Sequence, residues 1–124
     1  MNRLEYGLAM EEEALKWMID RYPSLVPQSR NYRWKGGEID LVFEDEDTRE
    51  LVFVEVRARR LDALVDPIAS ITYPKQRKLC RTIEHYLARY QGDAKSVRID
   101  FLGWDGKNWT HLKNVILPVS SRVQ

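Results

Sequence analysis

The stretch Gly36–Arg60, GGEIDLVFEDEDTRELVFVEVRARR, decides how this chain folds. Apolar residues recur in it with a period of two on either side of a polar segment, which predicts two strands of a hairpin. The first strand begins at Glu38, with Ile39 and Leu41 on one side and Glu38, Asp40 and Val42 on the other. Residues Glu44–Glu50 (EDEDTRE) are too polar for a core and read as the connection. LVFVEV then supplies the partner strand, with Val52, Val54 and Val56 opposed to Phe53, Glu55 and Arg57. Four charged residues, Glu38, Asp40, Glu55 and Arg57, thus stand on strands otherwise suited to a core. Such charges cost free energy unless they are paired, solvated at an edge, or bound to a metal.

Working outward, Leu4, Leu8, Leu15, Met18 and Tyr22 fall at helical spacing and mark one face of a first helix. That helix is expected to stop near Tyr22, because Pro23 disfavours helical geometry in the residue before it. Pro27 keeps the following residues extended or turning. On the other side, ARRLDALVDPIAS reads as an irregular crossover broken at Pro67. A second helix is expected after Tyr73, with Pro74 in its first turn, Leu79, Ile83, Tyr86 and Tyr90 as its apolar stripe, and Gly92 as its stop. VRIDFLGW follows as a strand, DGKN as a turn, and WTHLKNVI as the returning arm of a hairpin. Trp104 and Trp109 would face each other across that turn. The order is helix, two or three strands, helix, two strands: an α/β sandwich on a mixed sheet, in which the crossover through the second helix allows its flanking strands to lie parallel.

A chain of 124 residues fits one domain, residues 1–124, without disulfides or structural metal, and no Pro-, Gly- or Ser-rich linker divides it. No apolar run approaches the roughly 20 residues of a membrane-spanning helix, so no membrane partner is expected. Acids stand where a secretory signal would carry its apolar stretch, and the single Cys80 excludes an internal disulfide and a cysteine-based zinc site. A cytoplasmic setting is the expectation. Residues 1–56 carry 7 Lys+Arg against 13 Asp+Glu, whereas residues 57–90 carry 8 against 3. An acidic front and a basic middle suit carboxylates holding a cation beside a surface that attracts polyanion, although a solvated basic helix gives the same tally.

Hairpin pairing brings Asp40 and Glu55 together, and two carboxylates with waters and a carbonyl suit Mg²⁺, which resists full dehydration. Arg57, two residues beyond Glu55, would point the same way and could neutralise charge on a phosphate, but it is a poor general base because guanidinium stays protonated. Helical spacing also places Glu11 within the inward stripe of the first helix, where a carboxylate needs a metal or basic partner. Lys75 extends the stripe of the second helix back by one turn, over the same sheet face. The plainer readings are a cross-strand ion pair of Glu55 and Arg57 with Arg59 or Glu38, an exposed Glu11, and a snorkelling Lys75. His85 and His111 lie far apart without metal-ligand spacing, Ser70 and Cys80 lack a recognisable base, and Gly36-Gly37 precedes no GK[ST].

GEIDL (Gly37–Leu41) followed by FVEVR (Phe53–Arg57) resembles the PD-(D/E)XK, restriction-endonuclease-like superfamily, and within it the small bacterial YraN-like family, itself similar to Holliday-junction resolvases. Gly7, Glu11 and Ala14 resemble the N-terminal helix pattern, Asn31 and Arg33 the approach to GEIDL, Lys75, Lys78 and Leu79 the second helix, and RIDF (Arg98–Phe101) the later strand. The resemblance implies a restriction-endonuclease-like core of αβββαβ order with a C-terminal hairpin, and Mg²⁺-dependent phosphodiester hydrolysis, with Mn²⁺ as a substitute ion. It makes Asp40, Glu55 and Glu11 metal ligands and Glu38 a neighbouring acid. It carries Lys where this chain has Arg57, and Gly where this chain has Met10.

Nucleic acid is the expected partner, DNA ahead of RNA, and a homodimer would be required for cutting a junction twice. Arg57 and Lys75 would stabilise the transition state. Arg59, Arg60, Arg77, Lys78 and Arg81 would contact backbone phosphates, and Tyr32, Trp34 and Tyr73 would stack on bases. Two alternatives stand beside a nuclease: a nucleic-acid-binding module inactivated by Arg57, and a structural interaction protein whose acids and arginines form ion pairs.

Overall fold

Asn2 starts the first helix, its Oδ1 accepting from Glu5 N at 2.8 Å, and α1 runs over Arg3–Arg21. The computed structural model describes residues 1–59, 68–115 and 117. After α1 come β1 (Leu25–Trp34), β2 (Gly37–Asp45), β3 (Glu50–Ala58), a 3-10 turn (Ile68–Ser70), α2 (Tyr73–Arg89), β4 (Ser96–Trp104) and β5 (Trp109–Leu112). The strands form one sheet in the order β1-β2-β3-β4-β5, antiparallel except for the parallel pair β3–β4. This is the expected mixed α/β sheet, consistent with a restriction-endonuclease-like core. The extra strand is β1. It carries Pro27 beside a register shift at Pro27/Ser29, on a sheet edge where a missing N–H is tolerated.

The centre of the sheet is buried on both faces. Leu51, Phe53, Ile99 and Phe101 pack with Leu79 and Ile83 of α2, while Val52, Val54, Phe43 and Leu102 pack with Ala14 and Met18 of α1. That is why β3 reads as an almost continuous apolar run. The β2–β3 hairpin turns at residues 46–49, where Asp45 Oδ1 accepts from Asp47 N at 2.9 Å and Arg49 takes a positive φ of 62°. The strands therefore reach further into the acidic segment than its polarity alone suggests. At the far end, Asp105 Oδ1 accepts from Lys107 N and Asn108 N, closing a hairpin in which Trp104 opposes Trp109 at 5.2 Å between rings.

Two expectations are corrected. Leu4 and Leu8 are 68% and 44% exposed, so the N-terminal part of the α1 stripe faces solvent. The inward residues are Ala14 and Met18, and one and two turns earlier the same face carries Glu11 and Gly7 toward open space rather than the core. A stripe drawn through leucines fails where the helix runs beyond the sheet that would bury it. On β2, Ile39 joins Val42 on the α2 side, whereas Leu41 joins Phe43 on the α1 side. Strict alternation would have put Ile39 with Leu41, so β2 changes phase at Asp40.

One buried polar cluster pins β4 to its surroundings. Asp100, with 0% exposure, accepts from Arg98 Nε at 3.0 Å and Asn114 N at 2.9 Å, and its Oδ2 meets His111 Nε2 at 2.8 Å. Burial alone would raise the Asp100 carboxyl, but these bonds outweigh it and hold it below the ordinary range. His111 Nδ1 in turn lies 3.0 Å from the Tyr22 hydroxyl at the end of α1. His111 is thus a core histidine tying α1 to the C-terminal hairpin.

Gly37 sets how closely β2 approaches α2. A Cβ there would stand 2.6 Å from Thr82 Oγ1, which is held by its bond to Lys78 O and receives the Trp34 indole N–H at 2.9 Å. Gly37→Ala is expected to cost about 1–3 kcal/mol of stability through this overlap. Urea unfolding checks it, and a loss below about 0.5 kcal/mol would show that the helix yields freely.

Candidate active site

The β2–β3 ladder stops at Leu41 opposite Val54, while β3 continues beside β4 to Ala58 opposite Trp104. In the same register Asp40 would face Glu55. Instead of its backbone, Asp40 offers its side chain: Oδ2 accepts from Val56 N at 2.8 Å. A carboxylate thus satisfies a ladder donor that the departing β2 backbone leaves behind. Beyond this point the two strands part, and a cleft of about 830 Å³ opens between them, the N-terminal half of α1 and the start of α2.

Its acids are Glu11, Glu38, Asp40 and Glu55. The Asp40 and Glu55 carboxyls lie within electrostatic reach of each other, and burial followed by the Asp40 charge holds Glu55 well above the usual range. Glu11 is pushed up to about 7, by desolvation first and by Asp40 second, with the Asn31 side chain partly opposing. Glu11 Oε1 is buried with no hydrogen-bond partner among the described residues. Glu38 is exposed at the rim and pairs with Arg33 at 3.1 Å. Among the described residues no three His, Cys, Asp or Glu side chains stand ready as a closed metal site. The arrangement is a carboxyl pair on the sheet with a third carboxyl within electrostatic reach on α1.

The cations come from three elements. Arg57 Nη2 bonds Glu55 Oε2 at 2.9 Å, so these two residues pair along one strand rather than with Arg59 or Glu38. Arg59 follows on the same strand end, and Arg3 lies across the cleft on α1. Lys75 and Lys78 line the cleft from α2, Lys75 Nζ donating to Ser70 O at 3.2 Å.

Sequence reading thus located Glu11, Glu38, Asp40, Glu55, Arg57, Arg59, Lys75 and Lys78, which the fold gathers around one cleft. Arg77 and Arg81 lie exposed on α2 and do not line it. Tyr32 and Trp34 also lie elsewhere: the Tyr32 hydroxyl is 2.6 Å from His85 Nδ1, and the Trp34 ring stacks on His85 at 4.5 Å. Both rings are turned onto α2 by these contacts. Arg60 falls outside the described residues, as does Pro67. Arg3, Tyr6 and Met10 were missed as lining residues. Their helical spacing from Glu11 and Gly7 was the available signal, hidden by the neighbouring leucines. Asn31 also acquires a site role, its positive φ of 52° marking an irregularity of β1 beside Glu11.

Fold and cleft together define a class, an α/β domain whose mixed sheet ends in a carboxyl pair flanked by basic helix residues. The chain belongs to a family described as "Uncharacterised protein family UPF0102", whose model matches residues 10–103. Relatives each called "UPF0102 protein" include one from Coxiella burnetii, 37% identical over 112 residues, covering 89% of this chain and 90% of the relative. Another from Ralstonia pickettii is 45% identical over 103 residues, 81% of this chain and 80% of its own. A Nitrosomonas europaea relative is 52% identical over 64 residues, about half of each chain, 52% in both cases. Among the described residues no helix is long and apolar enough to cross a membrane.

The raised Glu11 carboxyl has a sign that can be checked. Its folded value of about 7 exceeds the ordinary 4.5, so this group leaves stability intact below pH 4.5 and lowers it as pH rises toward and through 7. Without divalent cations, Glu11→Gln is expected to be about 1 kcal/mol more stable than wild type at pH 8, a figure discounted for solvent screening of a half-exposed site. At pH 4 the two should be equal. Urea unfolding at both pH values measures the difference, and a gap that does not change with pH would remove the assigned burden.

Proposed function

We propose that this protein binds nucleic acid across the cleft and hydrolyses phosphodiester bonds with the help of a divalent cation, Mg²⁺ or Mn²⁺. The observation that carries this reading is the Asp40–Glu55 carboxyl pair sharing one cleft at a strand parting, faced by Lys75 and Lys78 from α2. Two neighbouring carboxyls and the buried Glu11 Oε1, without a hydrogen-bond partner among the described residues, suit a hard cation that keeps several waters. Asp40, Glu55 and Glu11 would hold it. When bound, such an ion polarises a phosphoryl oxygen and lowers the pKa of a coordinated water. The chain's own residues do the rest. Val56 N–H fixes Asp40, Lys75 and Lys78 draw in the phosphate backbone, and Arg57 offers a guanidinium to charge developing on the phosphoryl group. DNA is proposed ahead of RNA on the family resemblance, with a homodimer where two cuts in a branched substrate are needed.

A second reading, a binding module without hydrolysis, is favoured by one contact. Arg57 already occupies Glu55 at 2.9 Å, and it cannot deprotonate water as a lysine of lowered pKa can. Cleavage and binding assays over linear, single-stranded and branched DNA, with Mg²⁺ and Mn²⁺, separate the two. Asp40→Asn is expected to lower cleavage by at least about 10²-fold while leaving the fold intact, and full residual activity would sink the nuclease reading. Salt-sensitive binding with no cleavage under either ion, and cleavage appearing in Arg57→Lys, would establish the module. As a readout independent of activity, millimolar Mg²⁺ should raise the wild-type Tm at pH 8 and leave that of Asp40→Asn unchanged.

A further inference from the structure

Helix α2 carries five Lys+Arg against a single acid, Glu84. Lys75, Arg77, Lys78, Arg81 and Arg89 are all exposed, and none makes an ion pair among the described residues. On α1 and β1, by contrast, Lys16 has Glu13, Arg30 has Glu12 and Arg33 has Glu38. At 3.6 residues per turn, Lys78, Arg81 and Arg89 fall within about 80° of one another around the helix axis, with Lys75 and Arg77 on the two flanks. From Lys75 to Arg89 the row is about 21 Å long, at about 1.5 Å per residue.

This arrangement costs the helix stability. Lys75 with Lys78, Lys78 with Arg81, and Arg77 with Arg81 are like-charge neighbours three or four residues apart. Three of the cations stand in the first two turns, where the helix dipole disfavours positive charge, and the first turn holds no acid. A polyanion lying along the row would relieve both costs. The near end, Lys75 and Lys78, lines the cleft, and the far end, Arg89, stands at the rim of a tyrosine-lined hollow of about 400 Å³. Midway, the Trp34 ring stacks on His85 and its indole N–H donates to Thr82, which brings the exposed Lys35 of the β1–β2 turn beside the row. Single strands are held by rings on which bases stack, but these two rings are stacked on each other, and Tyr73, 55% exposed, precedes the row. A duplex carries its charge on the outside and needs no such rings; about 21 Å spans about six base pairs at about 3.4 Å each.

We infer that the solvent face of α2 is a backbone track for a duplex arm of nucleic acid leaving the cleft, with Lys78, Arg81 and Arg89 on its phosphates. The direction of the arm rests on the nucleic-acid reading of the cleft, whereas the binding face does not require hydrolysis there. Recognition on this face is independent of sequence, because phosphate contacts carry no base information. Fluorescence anisotropy over a salt series tests it, with a duplex of about 20 base pairs and each of its single strands. Divalent cations are left out, so that the proposed ion site takes no part. DNA and RNA duplexes of one sequence are compared, and the tighter names the source.

The duplex is expected to bind at least about fivefold tighter than either single strand, with no preference between unrelated sequences. Arg81→Ala combined with Arg89→Ala should weaken duplex binding about tenfold and reduce the slope of log affinity against log salt by about two. Alanine is a strong helix former and the change relieves repulsion, so the Tm of this double variant should not fall. Lys16→Ala, on the helix packed against the opposite face of the sheet, should leave affinity and slope unchanged. A wild type that never cleaves but shows this loss of slope leaves the track standing, whereas cleavage with an unaltered slope in the double variant strikes the track alone. Single strands bound as tightly as the duplex, an equal loss in Lys16→Ala, or tighter association with phosphatidylserine vesicles than with duplex would overturn the inference.

Discussion

The bond from Val56 N–H to the Asp40 carboxylate is the contact on which the rest of the cleft depends. A sheet cannot simply end two strands in its middle without stranding backbone donors. Here a side chain takes over the ladder at the residue where β2 changes phase, so the strands part without an orphaned N–H at Val56. The same bond anchors one acid of the carboxyl pair in a nearly buried position. Fold and site are thus joined at one residue, which serves as a ladder acceptor with one oxygen and as a member of the pair with its carboxyl group.

Charge around the cleft is balanced only in part by ion pairs. Glu55 is held by Arg57, Glu38 by Arg33, and Glu11 is left with one oxygen unmet. Desolvation is the first cause of the upward shifts at Glu55 and Glu11, and repulsion between acids kept close together adds to it. Lys75 and Lys78 face this concentration from the other helix without neutralising it by direct contact. An arrangement of this kind stores an affinity for added positive charge, and the proposed cation site draws on that. The Arg57–Glu55 pair is the one contact that works against it, which keeps the binding-only reading in view.

Much of this was legible in residue order. Period-two patterning located β2 and β3, and the polar segment between them located the hairpin. Glu11 was legible because helical spacing singled it out from Glu12 and Glu13, even though the leucines used to draw the stripe proved partly exposed. Tyr32 and Trp34 were misplaced because spacing says nothing about which way an edge strand turns its rings. His85 and Thr82, some fifty residues away, decide that by stacking and hydrogen bonding. The Asp100 cluster was equally hidden, since its members come from β4, β5 and the end of α1 and acquire meaning only as buried partners of one another.

By itself the sequence determined the element types, the hairpin, the parallel crossover and the family, because these follow from local periodicity, turn chemistry and the residues of two short motifs. Tertiary structure alone decided where β2 leaves β3, that Glu55 pairs with Arg57, that one oxygen of Glu11 is left unmet in the same cleft as the carboxyl pair, and that a tyrosine-lined hollow forms at the far end of α2. The physical reason is that strand parting, burial and electrostatic coupling are properties of distances between residues far apart in the chain, which no local pattern encodes.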